Sequence, residues 1–398
     1  MTSTLETNGA KTEIDTVLDA VRAAIPTLRA NGPQAEADRW IPDQNLELLA
    51  KPGVFRMVVP KKYGGLDLPL PDIARVLSEI GRGCGSTSWV TSAYTNGGFL
   101  ATFLPDKAQA EAFDGGEARI SLSVTPSGAF TDADGGYRLN GGWAFASGCR
   151  GANWSLVPGG YQRADETWDQ LLALVPTREL GIMDDWQVSA AAGTGSSTIT
   201  AADVFVPAHR VITIDEMLHG GSGDRADGPY PGRSYSLISL VLVESASAII
   251  GMARGTYDLF LERIPGRPIS YTTWYDQTQH PLTQIQVGTA ASKIAAAEAL
   301  VERWGALLQE RADAGAEPTT EEKIAVRGQC SYAIQLAKEA VEVLHSASGG
   351  SMIRSSSHLQ RFHRDVLAFS LHALLHPNVG LEGYGRSLLG LEPSTPFL

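Results

Sequence analysis

The sequence predicts an α+β protein of three parts: an N-terminal helical domain, a central antiparallel β-barrel or sandwich, and a C-terminal four-helix bundle. Apolar residues recur at helical spacing up to about residue 115. Short alternating runs separated by Gly, Asp and Pro then continue to about residue 214, and long helical patterns fill the remainder. With 398 residues, the chain is long enough for two or three packed units.

The N-terminal domain is predicted over residues 12–117, after a polar, disordered start over residues 1–11. Its first helix is indicated by apolar residues on one face: Ile14, Val17, Leu18, Val21, Ile25 and Leu28. Asn31-Gly32-Pro33 is expected to end that helix. Further helices are predicted around residues 46–49, over 73–80 and 86–104, and after Pro105.

The β domain is predicted over residues 118–218, and a Gly/Pro/Asp-rich linker over residues 219–233. The C-terminal bundle is predicted over residues 234–398. Its four helices are expected over residues 237–264, 279–312, 319–346 and 358–375.

The composition excludes several classes of function. A net charge of −12 argues against nucleic acid or an anionic membrane as the main partner. The three cysteines show no CxxC spacing, so we expect reduced thiols in a cytoplasmic protein. We find no signal peptide and no apolar run of about 18 residues, the length of a membrane span. The sequence contains no GxGxxG dinucleotide-binding motif, no P-loop and no GxSxG nucleophile elbow.

The segment LNGGWAFASG, residues 139–148, is predicted to be a β-strand. Leu139, Trp143, Phe145 and Ser147 fall on alternate positions, so they share one face. A flat apolar wall that ends in one hydroxyl suits a planar heteroaromatic ligand such as a flavin ring. A half-buried strand of a β-sandwich is the alternative interpretation.

The helix–β–helix order, with Leu-Asn-Gly opening this strand, resembles the acyl-CoA dehydrogenase fold from about residue 12 to the C-terminus. Four further segments resemble motifs of that family: SVTPSG (123–128), ADVFVPAHRVI (202–212), SASGGSMI (346–353) and LQRFHRD (359–365). The resemblance implies that the Ser147 hydroxyl meets flavin N5. The other flavin contacts that it implies are Trp143, Phe145, Ser123, Thr125, Gly349 and Gly350.

Dehydrogenase chemistry is the less favoured alternative, because it needs a carboxylate base. Where the common family pattern has a glutamate after the Arg-Asp pair, this chain has His372 and Ala373. Some family members carry the glutamate on the first bundle helix. Glu244 lies there, about three residues out of register.

The chain resembles more closely the branch of this fold that forms the oxygenase of two-component flavin monooxygenases. Three segments resemble sequences of that branch: GCGSTSWV (83–90), GTGSS (193–197) and GRSLLGLEP (385–393). The resemblance implies reduced FMN or FAD from a separate NAD(P)H:flavin reductase, dioxygen, a C4a-hydroperoxyflavin, and a homotetramer. The expected substrate is a small or polycyclic aromatic, as in antibiotic biosynthesis, and the alternative is N-oxygenation of an amino sugar or amine.

His372 is the candidate general base, because a histidine can take a proton from a phenol or an ammonium group. A structural histidine on a helix is the alternative. The predicted helix places six residues on one stripe: His358, Phe362, Asp365, Phe369, His372 and His376. Phe369 and His376 are therefore candidate substrate contacts. His372 and His376 lack an HExxH context, so no metal site is predicted.

Two further substrate contacts are expected on the helix that reads TSAYTNGGFL. Phenol hydroxylases of this branch often carry a histidine there, whereas this chain has Asn96, with Tyr94 beside it. The missing histidine favours the N-oxygenation alternative.

The flavin phosphate is expected to meet arginine, which binds phosphate through bidentate contacts. Arg263 and Arg267 lie where the family places an arginine against the flavin of a neighbouring subunit. Gln284 is a further candidate.

Overall fold

A computed structural model describes residues 11–125, 127–218, 235–395 and 398. The predicted linker, residues 219–233, and all but the last residue of the predicted disordered start lie outside the described residues. The described elements follow the expected order of helices, strands and helices, while the exact domain boundaries stay predictions.

The N-terminal helices match the predicted pattern with one addition. They are α1 (Glu13–Ala30), α2 (Gly32–Asp38), α3 (Asp43–Ala50), α4 (Leu70–Gly83), α5 (Gly85–Ala101) and α6 (Asp106–Ala112). A capping box between Thr12 and Asp15 starts α1, which buries the predicted apolar face. Helix α2 is an addition to the predicted pattern, because Asn31-Gly32-Pro33 ends α1 but also starts a new helix, with Pro33 in its first turn.

The central domain contains one eight-stranded sheet. Its strands are β1 (Ile120–Leu122), β2 (Gly128–Ala133), β3 (Gly136–Trp143), β4 (Trp154–Gln162), β5 (Trp168–Pro176), β6 (Gly181–Ile182), β7 (Ile199–Pro207) and β8 (Val211–Thr213). The order is β6-β7-β3-β2-β4-β5-β8, and β1 pairs with β4.

The prediction of a purely antiparallel domain is wrong, because β4 runs parallel to both β1 and β2. Strands β2 and β3 form an antiparallel hairpin. The chain then returns to the other side of β2, so the strand that follows the hairpin points the same way as β2.

The helices after the sheet are α7 (Ile214–Leu218), α8 (Leu237–Arg263), α9 (Pro281–Asp313), α10 (Thr320–Ala347), α11 (His358–Phe369) and α12 (Pro377–Leu388). The first three predicted bundle helices are confirmed as α8, α9 and α10. The predicted fourth helix, residues 358–375, is wrong: α11 ends at Phe369 with Ser370 as its C-cap, and α12 begins at Pro377.

Helix α8 is apolar and long enough to cross a membrane, by length and composition alone. Most of its apolar window, 78%, is buried inside the protein. Its side chains join one core cluster with residues of the other bundle helices, of α4 and α5, and of β1, β4 and β5. Helix α8 is therefore the central core helix of the C-terminal domain.

Candidate active site

The loop after β3 departs from the predicted strand. Strand β3 ends at Trp143, and Phe145 has a left-handed backbone with φ 60°. Trp143 is fully buried in the core of the β domain, and its indole N–H donates to the carbonyl of Pro158 (2.7 Å). The prediction that Trp143, Phe145 and Ser147 share one face is wrong, and Trp143 presents no surface to a ligand. Phe145 is 71% exposed, and its ring meets the edge of Trp186.

Ser147 lies where three segments meet. Its hydroxyl accepts a hydrogen bond from Trp89 Nε1 on α5 (3.3 Å) and is 2.8 Å from the hydroxyl of Ser196, in the loop before β7. The same loop is held by the amides of Ala146 and Gly148, which donate to the carbonyls of Ser197 and Thr194. Ser147 is half-buried, so the fold fixes its position while leaving part of it accessible.

Tyr94 fixes this loop instead of contacting a substrate. It is fully buried, and its hydroxyl donates to the Gly148 carbonyl (2.7 Å). Burial raises the pKa of Tyr94, so the phenol stays neutral. Gly148 has φ 75°, and a Cβ atom there would lie 2.8 Å from the Tyr94 ring. The predicted substrate role of Tyr94 is therefore corrected to a positioning role.

Trp89, which the sequence analysis did not single out, organises the aromatic wall beside Ser147. Its ring stacks on Phe369 at the end of α11, with centroids 4.3 Å apart, and meets His372 edge-on at 5.8 Å. The sequence signal for Trp89 is its place in the GCGSTSWV motif, where it is the one aromatic side chain among small residues. Trp89, Phe369 and His372 form a continuous wall next to the Ser147 hydroxyl.

His372 and His376 do not lie on the helical stripe that was predicted, because α11 ends before both. Part of the His372 side chain is exposed to solvent, while the protein atoms packed around its ring displace water from it and thereby lower its pKa. His372 is therefore neutral at pH 7. Its Nδ1 accepts from the Leu374 amide (3.3 Å), which places the proton of the neutral ring on Nε2. His376 instead caps α12 by accepting from the Asn378 amide.

A buried polar group lies between α5 and α8. Asn96 is 6% exposed; its amide donates weakly to Ser92 Oγ (3.4 Å), and its Oδ1 has no partner among the described residues. Glu244 is fully buried; its Oε2 lies 2.5 Å from Thr95 Oγ1, and its Oε1 likewise has no partner among the described residues.

The Thr95 hydroxyl determines the charge of Glu244. Thr95 Oγ1 has one proton, and it also lies 2.9 Å from the Ser92 carbonyl, which can only accept. Both contacts are hydrogen bonds only if Glu244 carries a proton and donates it to Thr95. Burial raises the pKa of Glu244 to about 8, which agrees with this assignment. At pH 7 most Glu244 carboxyls are therefore protonated, and in that form Glu244 cannot accept the proton that a dehydrogenase must remove.

The other predicted ring contacts lie at the carboxyl end of β1. Ser123 is buried, and its amide donates to the Leu156 carbonyl (3.1 Å). Val124 and Thr125 are exposed. Of the two predicted residues, only Thr125 presents its side chain to solvent.

A second group of residues forms an anion-binding arrangement. Arg263 Nη2 and Arg267 Nη2 both donate to Ser351 Oγ, at 2.5 and 3.0 Å. Arg263 Nε and Arg267 Nη1 are buried and have no partner in the part of the chain that the structure describes. Burial and the neighbouring Arg267 lower the pKa of Arg263. Two converging guanidinium groups with unused donors fit a phosphate.

Arg263 lines a surface cleft of about 470 Å³, the arginine cleft, together with Ser351, Ser357 and His358. Gly349 and Gly350 precede Ser351 and are exposed there. Gln284 is exposed at the start of α9 and donates to the Thr278 carbonyl, so no hydrogen bond connects it with the arginines.

The two groups lie at opposite ends of α11. His358, its first residue, borders the arginine cleft, and Phe369, its last, stacks on Trp89. At 1.5 Å per residue, the ends of this helix are about 16 Å apart.

Comparison with known proteins decides the family. Family models match residues 12–111 (acyl-CoA dehydrogenase, N-terminal domain) and 243–377 (acyl-CoA dehydrogenase, C-terminal domain). The oxygenase subunit HsaA of a flavin-dependent monooxygenase from Rhodococcus jostii (strain RHA1) is 31% identical, over 93% of this chain and 97% of its own. The oxygenase component of an FADH(2)-dependent resorcinol hydroxylase from Rhizobium sp. (strain MTP-10005) is 32% identical, over 93% of each chain.

The chain belongs to the oxygenase components of two-component flavin-dependent monooxygenases. A solved structure of XiaF from Streptomyces sp., in complex with FADH2 and glycerol, is 29% identical and superposes with a TM-score of 0.91 over 97% of this chain and 98% of its own. The acyl-CoA dehydrogenase fold and the predicted function as a flavin-dependent monooxygenase are thereby confirmed. An oxygenase of this class receives reduced flavin from a separate reductase and uses dioxygen.

The neutral Glu244 predicts a pH dependence of the oxygenase's stability. Folding raises the pKa of Glu244 from its ordinary value of 4.5 to about 8, so the native state binds more protons than the unfolded state between these pH values. This contribution to the free energy of unfolding is fully present below pH 4.5 and is lost as the pH rises towards 8, by at most about 1.4 kcal/mol per pH unit.

Glu244→Gln removes this proton linkage but keeps the shape of the side chain. We expect the free energy of unfolding of the variant, relative to wild type, to increase steadily from pH 5 to pH 8 in urea denaturation. Glu310→Gln, at an exposed position on α9, is the matched control and should show no such trend. A difference that is independent of pH would show that Glu244 is not neutral in the native state.

Proposed function

We propose that this oxygenase hydroxylates a small or polycyclic aromatic substrate beside the wall formed by Trp89, Phe369 and His372, next to Ser147. The proposal depends above all on the position of the Ser147 hydroxyl, which is fixed by the fold and borders a continuous aromatic wall. Aromatic rings pack well against such a wall. The relatives whose names specify aromatic hydroxylation support the same substrate class.

Reduced flavin, when bound, supplies the reactivity towards dioxygen. The protein must hold the flavin ring and keep water away from the reacting atoms. Ser147 is suited to hydrogen-bond N5, and the exposed Phe145 ring and Thr125 offer surfaces that a flavin ring can cover. The stacked rings of Trp89 and Phe369 exclude water from one side.

His372 orients the substrate through Nε2–H in this proposal. Because its Nδ1 accepts from the Leu374 amide, Nε2 is a donor and can bind the oxygen of a phenol or phenolate. Action as a general base through Nε2 requires the other tautomer and the loss of the Leu374 contact. Asn96, whose Oδ1 is buried without a partner among the described residues, is the second candidate substrate contact.

Arg263 and Arg267, with Gly349 and Gly350 beside them, bind the phosphate of a flavin whose ring lies in a neighbouring subunit. The arginines lie near the first residue of α11 and the aromatic wall beside Ser147 lies at its last, and the helix is about 16 Å long. The placement of the two groups at opposite ends of α11 supports flavin sites that are shared between subunits in a homo-oligomer and, with the family expectation, in a homotetramer.

The remaining assignments complete the proposal. The partner is an NAD(P)H:flavin reductase, because the sequence carries no dinucleotide fingerprint of its own. Three buried free cysteines support a reducing, cytoplasmic location. We assign the activity to secondary metabolism such as antibiotic biosynthesis. No contact in the described residues favours an amine over an aromatic ring.

The function is tested by mixing the protein with reduced FMN or FAD, then with oxygenated buffer that contains one of a panel of phenols, polycyclic aromatics and amines. We expect a hydroxylated product that carries one oxygen atom from dioxygen. Ser147→Ala should form less product and more hydrogen peroxide per flavin oxidised. Ser292→Ala, whose hydroxyl bonds only within α9, is the control. Peroxide alone with every aromatic, together with oxygenated product from an amine, would refute aromatic hydroxylation.

The donor role of His372 predicts different effects of two substitutions. His372→Gln keeps a donor near Nε2 and should leave the substrate KM within about threefold. His372→Leu removes the donor and should raise KM by about two- to tenfold, the value of one net hydrogen bond. His209→Gln, on the turn between β7 and β8, is the control. An equal loss of kcat in both His372 variants, with KM unchanged, would instead indicate a general base.

The phosphate role of Arg263 predicts selective loss of phosphorylated flavins. Arg263→Met should weaken reduced FMN binding by about ten- to a hundredfold, because the lost hydrogen bonds are charge-assisted. Riboflavin, which has no phosphate, should bind unchanged. Arg178→Met, at an exposed position in the β domain, is the matched control. Equal weakening of riboflavin and FMN would place the flavin phosphate elsewhere.

A further inference from the structure

Three hydroxyl groups form a row that ends at Ser147. Thr194 Oγ1 lies 2.8 Å from the carbonyl of Ala191 and 2.7 Å from Ser196 Oγ. Ser196 Oγ lies 2.8 Å from Ser147 Oγ, which accepts from Trp89 Nε1 at 3.3 Å. The row therefore has a carbonyl acceptor at one end and an indole N–H donor at the other.

The proton count fixes the direction of every bond in the row. Three contacts link Ala191 O, Thr194, Ser196 and Ser147, and the three hydroxyls have one proton each. The Ala191 carbonyl can only accept, so Thr194 donates to it. Ser196 must then donate to Thr194, and Ser147 must donate to Ser196. Any other arrangement leaves at least one of the three contacts without a proton.

The acceptor end of the row is held in place. Ala191 has a left-handed backbone with φ 56°, and its amide donates to Asp365 Oδ1 on α11 (2.7 Å). Thr194 is fully buried and Ser196 is 4% exposed, so bulk water does not offer these hydroxyls alternative partners. The direction of the row is thus a property of the folded protein.

This direction leaves Ser147 as an acceptor only. Its proton points to Ser196, and one of its two lone pairs receives the Trp89 N–H. One lone pair stays available on the accessible side of the hydroxyl. Reduced flavin presents N5–H, a donor, whereas oxidised flavin presents N5 as an acceptor.

We propose that Thr194 and Ser196 are positioning residues that lock Ser147 as a hydrogen-bond acceptor and so make the oxygenase select reduced over oxidised flavin. The inference rests on the proposed function, in which Ser147 faces N5. Reduced flavin gains a hydrogen bond at this point. In oxidised flavin the lone pair of N5 faces the free lone pair of Ser147 Oγ, and the two repel each other. This repulsion favours release of the oxidised flavin after each turnover.

The test measures the dissociation constants of oxidised FMN in air and of reduced FMN under anaerobic conditions, and takes their ratio. In Ser196→Ala the Ser147 proton loses its acceptor and becomes free to donate to oxidised N5. We expect the ratio of the oxidised to the reduced constant to fall by about two- to tenfold, the value of one net hydrogen bond. Thr194→Val should also lower this ratio. Without the Thr194 hydroxyl, Ser196 can donate its proton to Ser147, and the Ser147 proton is then free to donate to oxidised N5.

Two conservative variants and one control separate polarity from packing. Thr194→Ser and Ser196→Thr keep the hydroxyls and should restore the wild-type ratio. Ser292→Ala should not alter it. If Ser196→Ala fails to fold, the comparison of Thr194→Val with Thr194→Ser tests the same claim.

The outcomes distinguish this inference from the proposed function. A wild type that prefers reduced FMN, with an unchanged ratio in Ser196→Ala and Thr194→Val, would overturn the inference alone. Loss of affinity for both flavin forms by the same factor would also overturn it, because that result indicates a structural role. A wild type that binds neither form would overturn the inference and the proposed function together.

Discussion

The site depends on the clamp that holds the loop after β3 against α5 and the loop before β7. The Tyr94 hydroxyl and the amides of Ala146 and Gly148 fix this loop through hydrogen bonds to backbone groups. A loop held by backbone contacts places the Ser147 hydroxyl without using the hydroxyl itself. Ser147 is therefore free to join the Thr194–Ser196 row on one side and a ligand on the other.

Helix α11 connects this clamp to the rest of the molecule. Its first part is tied to α2, where Arg361 and Arg364 both pair with Glu36. In its last two turns, Asp365 receives the Ala191 amide and Phe369 stacks on Trp89. One short helix thus carries the acceptor end of the hydroxyl row and part of the aromatic wall. The site exists only when the β domain and the C-terminal helices are packed together.

The sequence was informative where a local pattern determines structure. Helical spacing located α1 and the three long bundle helices, while the roles that family motifs give to Ser147, His372 and the arginines stay predictions. It failed where the backbone conformation changes without a local signal. The left-handed turn at Phe145 takes Phe145 and Ser147 off the face that Trp143 occupies, and the end of α11 at Phe369 takes His372 and His376 off the predicted helical stripe. Trp89 and the buried state of Tyr94 arise from tertiary packing, which alternation and spacing do not encode.

The most direct test is a crystal structure of the oxygenase with reduced FMN bound under anaerobic conditions. The account predicts flavin N5 within hydrogen-bond distance of Ser147 Oγ, with the ring beside Phe145. It also predicts the flavin phosphate on Arg263 and Arg267 of a neighbouring subunit. A flavin ring bound away from Ser147, or a phosphate held by the arginines of the same subunit that holds the ring, would contradict it.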